Sequence, residues 1–461
     1  MIPKTLRSSA YTLLGMSAAF LLARTADTRR SARTARAGSK SKVVVVGAGF
    51  AGLSAASQLA GRDGVDLTVI DMHDHHLFQP LLYQVATAAL SPSDIASPIR
   101  GILPEQPGVR VLMAAVTGVD IVGRRVVCDT LSVPYDELVI ATGSRPSYFG
   151  HGSWAKAAPG LKTLDDAVRL RRSMLEAFEH ATVVQGRDRD RALTFVLIGG
   201  GPTGVEMAGS IAELAQDLTR EQAGQTVAKA KARIVLVEAG PRILSSFAPE
   251  LSDYARSALQ AMGIEVREGT KVTGIEPGVV HLGQDHLAAD TVIWTAGTEA
   301  TPVAKWLGVA RAHGGRVAVT ADLRVPHHPE IAVIGDAALV HGSDGKPLPG
   351  LAPVAKQQGR FVGRAILRRV RGRHAQRQHF SYRDYGTLAT IGRNKAVAEL
   401  GPVRFKGFVA WFLWVVVHIF FLISFRHRVL VMAKWGFSYV RNEHPEQLII
   451  GLSPDKEKTG T

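Results

Sequence analysis

The sequence predicts an α/β protein built on two copies of one strand–turn–helix–strand unit, followed by an apolar C-terminal segment. Three observations carry this. An apolar strand, a glycine-rich turn and a helical run occur twice, 152 residues apart. Each copy continues into a second strand that ends in an acid, Asp71 in one and Glu238 in the other. Residues 407–425 then form a nearly unbroken apolar stretch of 19 residues.

The elements follow in order. Residues 43–46 read as a buried strand, Gly47-Ala48-Gly49-Phe50-Ala51-Gly52 as its turn, 53–60 as a helix and 67–70 as a second strand. The grammar returns as the strand Thr194–Ile198, the turn Gly199-Gly200-Gly201-Pro202-Thr203-Gly204, a helix over 205–214 and the strand Arg233–Val237. In such a turn the first glycine permits the tight bend. The second lets backbone approach a pyrophosphate, and the third lets helix pack on strand. The helix N-terminus adds free N–H groups and positive dipole for phosphate. The expected ligands are therefore dinucleotides, bound through Gly47, Ala48, Gly49 and Gly52, and through Gly199, Gly201 and Gly204. Asp71 lies 19 residues past Gly52, the expected spacing for a ribose-binding acid. Glu238 lies 34 past Gly204, and the polar insert 219–231 accounts for the excess. A carboxylate at this strand end repels a 2′-phosphate, and no arginine follows Glu238 until Arg242, so NADH is expected over NADPH. Short strands over 137–142, 291–296 and 331–334 each run into a glycine turn, at Gly143, Gly297 and Gly335.

Composition narrows the function. A single cysteine, Cys128, excludes an intrachain disulfide, a redox-active cysteine pair and a multi-cysteine metal site, and no metal is expected. The net charge of +15 is uneven. Residues 1–42 carry +8 and residues 360–441 carry +14, leaving −7 for the rest. Both basic flanks adjoin apolar sequence, which points to an anionic membrane surface and not to nucleic acid. The apolar run 10–23 would make a helix of about 21 Å, too short for a hydrocarbon core of about 30 Å. A disordered or interfacial extension, a transit peptide and a signal or anchor all stay open for it. The run 407–425 would reach about 28 Å, borderline for a span.

Several motifs carry a resemblance. Ala141-Thr142-Gly143 and Thr295-Ala296-Gly297 resemble the linkers of the two-dinucleotide-binding flavoproteins, and Ile334-Gly335-Asp336 resembles their late FAD motif. The resemblance implies FAD at the first turn and NADH at the second, with Asp336 on the ribityl or pyrophosphate. It implies two Rossmann-like domains: a discontinuous FAD domain over 42–160 and 312–399, and an inserted NADH domain over 161–311. A basic extension over 1–41 and a helical membrane-anchor region over 400–461 flank them. Thiol-dependent branches of this superfamily need two or more working cysteines and are excluded.

A narrower likeness covers about 42–441. It rests on His76-Leu77-Phe78-Gln79-Pro80-Leu81-Leu82-Tyr83-Gln84, Gly204-Val205-Glu206, the segment 350–359 and Arg426-His427-Arg428. These resemble the type II NADH dehydrogenases, single-subunit NADH:quinone oxidoreductases that do not pump protons. The likeness implies NADH as substrate, bound FAD and a membrane quinone as acceptor. It gives Glu206 a role in the first helix turn at the nicotinamide. It places Lys356 and Gln357 at the flavin–quinone face, and Ala355, Gln357, Trp435 and Tyr439 around the quinone. Pro353 stands where the family carries a glutamine, so that wall transfers only in part. The resemblance favours a monotopic anchor at the cytoplasmic face of a bacterial inner membrane, with mitochondria the alternative, and leaves a homodimer open. The rival readings are a related reductase with another acceptor and a nucleotide-binding redox sensor without turnover.

Overall fold

The computed structural model describes residues 40–103, 106–221, 231–372, 378–422, 425–441 and 446–449. Residues 1–39 of the basic extension, most of the polar insert and the side chain of Tyr439 lie outside this description.

The first unit is β1 (Ser41–Val46), α1 (Phe50–Leu59) and β2 (Val65–Asp71). The chain continues through α2 (Leu82–Ala86), β3 (Val109–Met113), β4 (Glu137–Ile140) and α3 (Leu164–Val183). The second unit is β5 (Thr194–Ile198), α4 (Pro202–Glu221) and β6 (Arg233–Val237), extended by β7 (Glu265–Arg267) and β8 (Thr291–Trp294). Then come β9 (Arg324–Val325), β10 (His328–Val333) and α5 (Ala352–Val370). The C-terminal part is β11 (Thr387–Gly392), β12 (Lys395–Leu400), β13 (Val403–Gly407), α6 (Phe408–Phe421) and α7 (Phe425–Arg441).

Two parallel sheets organise these elements. The first has the order β9-β10-β4-β1-β2-β3, with only β9 antiparallel to its neighbour. The second has the order β7-β6-β5-β8. Val43 to Val46 and Phe195 to Ile198 are buried, as parallel strands covered on both faces require. The first sheet is completed by β10, which pairs with β4 in the register Ile331 to Leu138 after the whole second sheet has intervened. Glu137 pins this returning segment, accepting from Arg324 on β9 (2.8 Å) and Arg369 on α5 (2.6 Å). The strands expected over 137–142 and 291–296 stop two residues early. Their last residues bend toward Gly143 and Gly297, whose φ angles are +70° and +66°.

β11, β12 and β13 form an antiparallel meander against which α4 and α6 pack. Here the sequence reading needs correction. The 19-residue apolar run does not make one helix. α6 has 14 residues, about 21 Å, because Gly407 belongs to β13 and the chain leaves helical geometry at Leu422 (φ −59°, ψ 134°). Among the described residues, no helix is long and apolar enough to cross a membrane.

Candidate active site

The two glycine turns have the same internal geometry. Gly47 and Gly199 open them at φ +95° and +114°, where any side chain is strained. A Cβ on Gly52 would overlap the carbonyl of Gly47, and one on Gly204 would overlap the carbonyl of Gly199. A Cβ on Gly49 or Gly201 would meet open space, so both second glycines leave their backbone free for a ligand. The acids repeat the symmetry. Asp71 accepts from the Ala48 N–H (2.6 Å) and the His73 N–H (2.8 Å). Glu238 accepts from the Gly200 and Gly240 N–H groups (both 2.6 Å). Each carboxylate thus braces its turn from the end of the neighbouring strand. Two open cradles at helix N-termini, each braced by a ribose-type acid, fit two dinucleotides.

Around the first turn, three further segments converge. A Cβ on Gly47 would overlap the Ala141 carbonyl, and one on Gly335 would lie 3.2 Å from Ala51. Thr142 shares a hydroxyl hydrogen bond with Thr301 (2.6 Å) and so faces the linker from the second unit. Asp336 accepts from the Ser144 hydroxyl (2.7 Å), which accepts from Lys162 Nζ (3.1 Å). Burial holds Lys162 below its ordinary value, and Asp336 pulls the other way. Gln358 is buried and accepts the Gly335 N–H (2.6 Å), fixing the turn that carries Asp336. Sequence reasoning missed Lys162 and Gln358. For Gln358 a signal existed: it lies on the same α5 face as Ala355, Gly359 and Val362, all buried.

Beside the second turn, Gly297 carries the Phe149 ring 2.5 Å from where its Cβ would stand. Arg242 is committed to the carbonyls of Phe247 (2.7 Å) and Ser245 (2.9 Å). Its guanidinium is therefore engaged by the loop, which removes it as a ready partner for a 2′-phosphate.

Glu206 falls at the fifth residue of α4, one turn deeper than the sequence reading placed it. It lines a cavity of about 470 Å³ between α4, the β11–β12 turn, α6 and α7. Burial pushes its carboxyl up to about 8, against weaker pulls from the Thr390 N–H (3.4 Å) and the Trp414 indole. Burial thus favours the neutral form of this carboxyl. Trp411, Trp414, Val415, Ile419, Met432 and Trp435 supply apolar walls, while Tyr83, Ser210 and Glu213 add polar groups. Trp435 Nε1 donates to Gln84 Oε1 (2.9 Å), and Gln84 Nε2 donates to the Tyr83 hydroxyl (3.0 Å). Trp435 is thus brought together with Glu206.

Lys356 and Gln357 lie outside this cavity lining. Gln357 is pinned to the Arg383 backbone, accepting its N–H (3.0 Å) and donating to its carbonyl (2.8 Å). Lys356 stands over the Phe50 ring (5.2 Å) and the Phe421 ring (4.7 Å). Burial lowers it to about 8, helped by Arg360 and Arg428. Ala355 faces Gly335 and Asp336. An aromatic row joins the two regions: Phe50 packs on Phe78, Phe78 on His418, and His418 stacks on Trp414 at 4.2 Å. His418 Nδ1 bonds the Trp414 carbonyl (2.8 Å), and burial lowers the ring to about 4, so it is neutral at physiological pH.

Comparison with known proteins agrees with this architecture. Residues 41–359 match the model of the pyridine nucleotide-disulphide oxidoreductase family, and residues 385–440 match that of the NDH2 C-terminal domain. The chain is 39% identical over 422 residues to the type II NADH:quinone oxidoreductase Ndh of Mycobacterium tuberculosis, covering 88% of this chain and 90% of the relative. It is 39% identical over 430 residues to NdhA of the same organism, covering 90% of each chain. The structure of NDH2 from Plasmodium falciparum in complex with NADH aligns with a TM-score of 0.79 at 20% identity, covering 89% of this chain and all of that one.

Proposed function

The chain belongs to the type II NADH:quinone oxidoreductases, and from that membership we propose how its parts divide the work. It is an FAD-dependent enzyme that carries electrons from NADH to a quinone. The observation that carries this reading is the match over nearly the whole chain, since it spans both braced turns and the C-terminal part.

The first turn, with Asp71, Ala141, Thr142, Gly143, Gly335 and Asp336, holds FAD. The second turn, with Glu238 and Gly297, holds NADH. FAD, when bound, supplies the two-electron exchange between a hydride donor and a quinone. The protein supplies orientation and charge. Asp336, Ser144 and Lys162 form a chain of polar groups beside the FAD cradle. The cavity bordered by Trp414 and Trp435 takes the quinone ring, and the protonated Glu206 carboxyl faces it as an acid. Lys356 holds a positive charge between Phe50 and the end of α6.

The C-terminal helices give the quinone its route. Phe408, Val409, Phe412, Val416 and Phe420 of α6 are exposed, as are Val429, Leu430, Met432 and Phe437 of α7. Lys406, Arg426 and Arg428 stand at the ends of this apolar stretch in the sequence. Such a face suits docking into one leaflet, each cation adding about 1 kcal/mol near an anionic surface.

The test is steady-state NADH oxidation by the FAD-loaded protein with a water-soluble quinone, together with flotation on anionic liposomes. The expected result is quinone-dependent turnover and co-flotation that survives high salt. Bound FAD without turnover would return the sensor reading. Release by salt alone would sink the apolar docking.

A further inference from the structure

The order of the second sheet fixes where each half of a dinucleotide lies along its turn. β6, β5 and β8 are parallel neighbours, so their carboxyl ends share one edge. The turn after β5 takes the pyrophosphate, with Glu238 after β6 on one side and Thr295-Ala296-Gly297 after β8 on the other. Glu238 holds the adenosine ribose on its own side, so the nicotinamide half extends toward Gly297. We propose that Phe149, from the loop between β4 and α3, is the aromatic wall that positions this nicotinamide half. The proposal rests on the reading that the second turn holds NADH.

Gly297 is tied to the turn through the two residues before it. The Thr295 hydroxyl lies 2.9 Å from the carbonyl oxygens of both Ile198 and Gly199. A Cβ on Gly199 would stand 2.6 Å from the Ala296 nitrogen. Gly297 follows directly and so borders the crevice on the β8 side. The Phe149 ring points its tip at this glycine, with Cζ 2.5 Å and both Cε atoms 3.2 Å from where a Cβ would stand. Any side chain at position 297 would displace the ring. The ring therefore reaches the nucleotide crevice from outside the unit that binds the nucleotide.

The surrounding loop holds it there. Trp294 Nε1 donates to the Ser147 carbonyl (2.9 Å), and the Ser147 N–H donates to the Gly297 carbonyl (3.3 Å). The Tyr148 hydroxyl donates to the Ala158 carbonyl (2.9 Å), and its ring packs on Trp294 at 4.9 Å. His151 stacks on Trp154 at 4.2 Å. Between these anchors Phe149 takes a φ of +51°, a left-handed conformation that bulky side chains rarely adopt. Yet Phe149 is 67% exposed, so core packing does not account for the strain. Glycine would make the same turn without it. What the strained residue adds is an aromatic surface, fixed at the edge of the crevice and open to a planar ring or a sugar.

The test compares wild type, Phe149→Ala, Phe149→Gly and Gly204→Val, all FAD-loaded, by anaerobic bleaching of the flavin at increasing NADH. ADP, which carries the adenosine half and no nicotinamide, serves as the competing probe. Phe149→Ala and Phe149→Gly should each raise the NADH concentration for half-saturation about tenfold, the worth of one aromatic contact. The inhibition constant of ADP should keep its wild-type value in both, and so should the flavin content. Gly204→Val should weaken NADH and ADP together. If Gly204→Val does so while both Phe149 variants match wild type, the aromatic wall is overturned and the assignment of the turn stands. If all three match wild type, that assignment fails and the wall falls with it. If Phe149→Ala weakens ADP as much as NADH, or lowers the flavin content, its effect is structural and the proposal is overturned. If Phe149→Gly binds NADH as wild type does while Phe149→Ala does not, the backbone and not the ring is responsible, and the proposal is equally overturned.

Discussion

The two glycine turns are nearly superposable in their logic, yet the helices they open have opposite surroundings. α1 is sealed by another helix: a Cβ at Gly359 would overlap the Ala51 carbonyl, and one at Gly363 would lie 2.8 Å from the Ala55 carbonyl. It carries no acid and no basic residue, only small and apolar groups with two serines and one glutamine. α4 is seated on a strand instead, with Gly209 against the Ile391 carbonyl, and it presents Glu206, Ser210 and Glu213 to a cavity. The lesson is that nucleotide binding is encoded in the turn, while the side chains that meet the second substrate are encoded in the helix beyond it. The first helix is sealed along its length by α5 and has no face for a second substrate. The second helix keeps one face turned to the cavity.

Spoiling each turn in the same manner separates the two roles. Gly52→Val and Gly204→Val both force a branched side chain into a carbonyl of the opening glycine. Overpacking of this kind costs about 1–3 kcal/mol or more. In the first turn the loss should appear as protein purified without FAD, read from the flavin-to-protein absorbance ratio. In the second, FAD should stay bound while KM for NADH rises roughly a hundredfold, as about 3 kcal/mol implies. Loss of FAD from Gly204→Val, with Gly52→Val unaffected, would reverse the assignment of the turns.

A smaller effect tests whether α4 does chemistry that α1 does not. Glu206→Gln keeps the shape and the acceptor for the Thr390 N–H but removes the proton. The expected loss in kcat with quinone is about 10- to 100-fold, at the low end of acid–base contributions. The pH profile gives the sign. A carboxyl raised to about 8 is protonated below that pH and ionised above it. Wild-type activity should fall as pH rises through about 8, and that limb should vanish in Glu206→Gln. The other ionisable groups lining the cavity are Tyr83, whose burial holds it well above its ordinary value, Glu213 and Arg393. A limb unchanged in Glu206→Gln would transfer it to another of these groups.

The unequal legibility of the two regions has a physical cause. The turns were readable because their chemistry is local: three glycines at fixed spacing and one acid at the end of the next strand dictate the geometry, and β5 and β6 begin and end where the apolar pattern does. The cavity was not readable because its walls come from residues 83–89, 206–213, 390–393 and 411–436. Nothing in the i, i+4, i+7 spacing of Glu206, Ser210 and Glu213 tells whether that face meets water or an apolar wall. Gln357 has a partner that its motif does not announce: its side chain is held by the Arg383 backbone, 26 residues away. The apolar run at 407–425 was read as longer than its helix because hydropathy does not register that Gly407 closes a strand.

The smallest effect is expected at the acids that brace the turns, where the two regions are most alike. Glu238→Gln retains a carbonyl for one of the two amides it now holds and removes the negative charge. With the charge gone, a 2′-phosphate is no longer repelled, yet no cation replaces it, since Arg242 is occupied by the Phe247 and Ser245 carbonyls. The expected change is therefore partial: a shift of about tenfold in the ratio of kcat/KM for NADPH to that for NADH, about 1.4 kcal/mol. Asp71→Asn, the equivalent change in the first turn, should leave that ratio unaltered and weaken FAD retention instead. Steady-state kinetics with both nucleotides, beside the flavin content of each variant, separate the two outcomes. A change in nucleotide preference from Asp71→Asn would mean that the two turns do not divide resident cofactor from passing substrate.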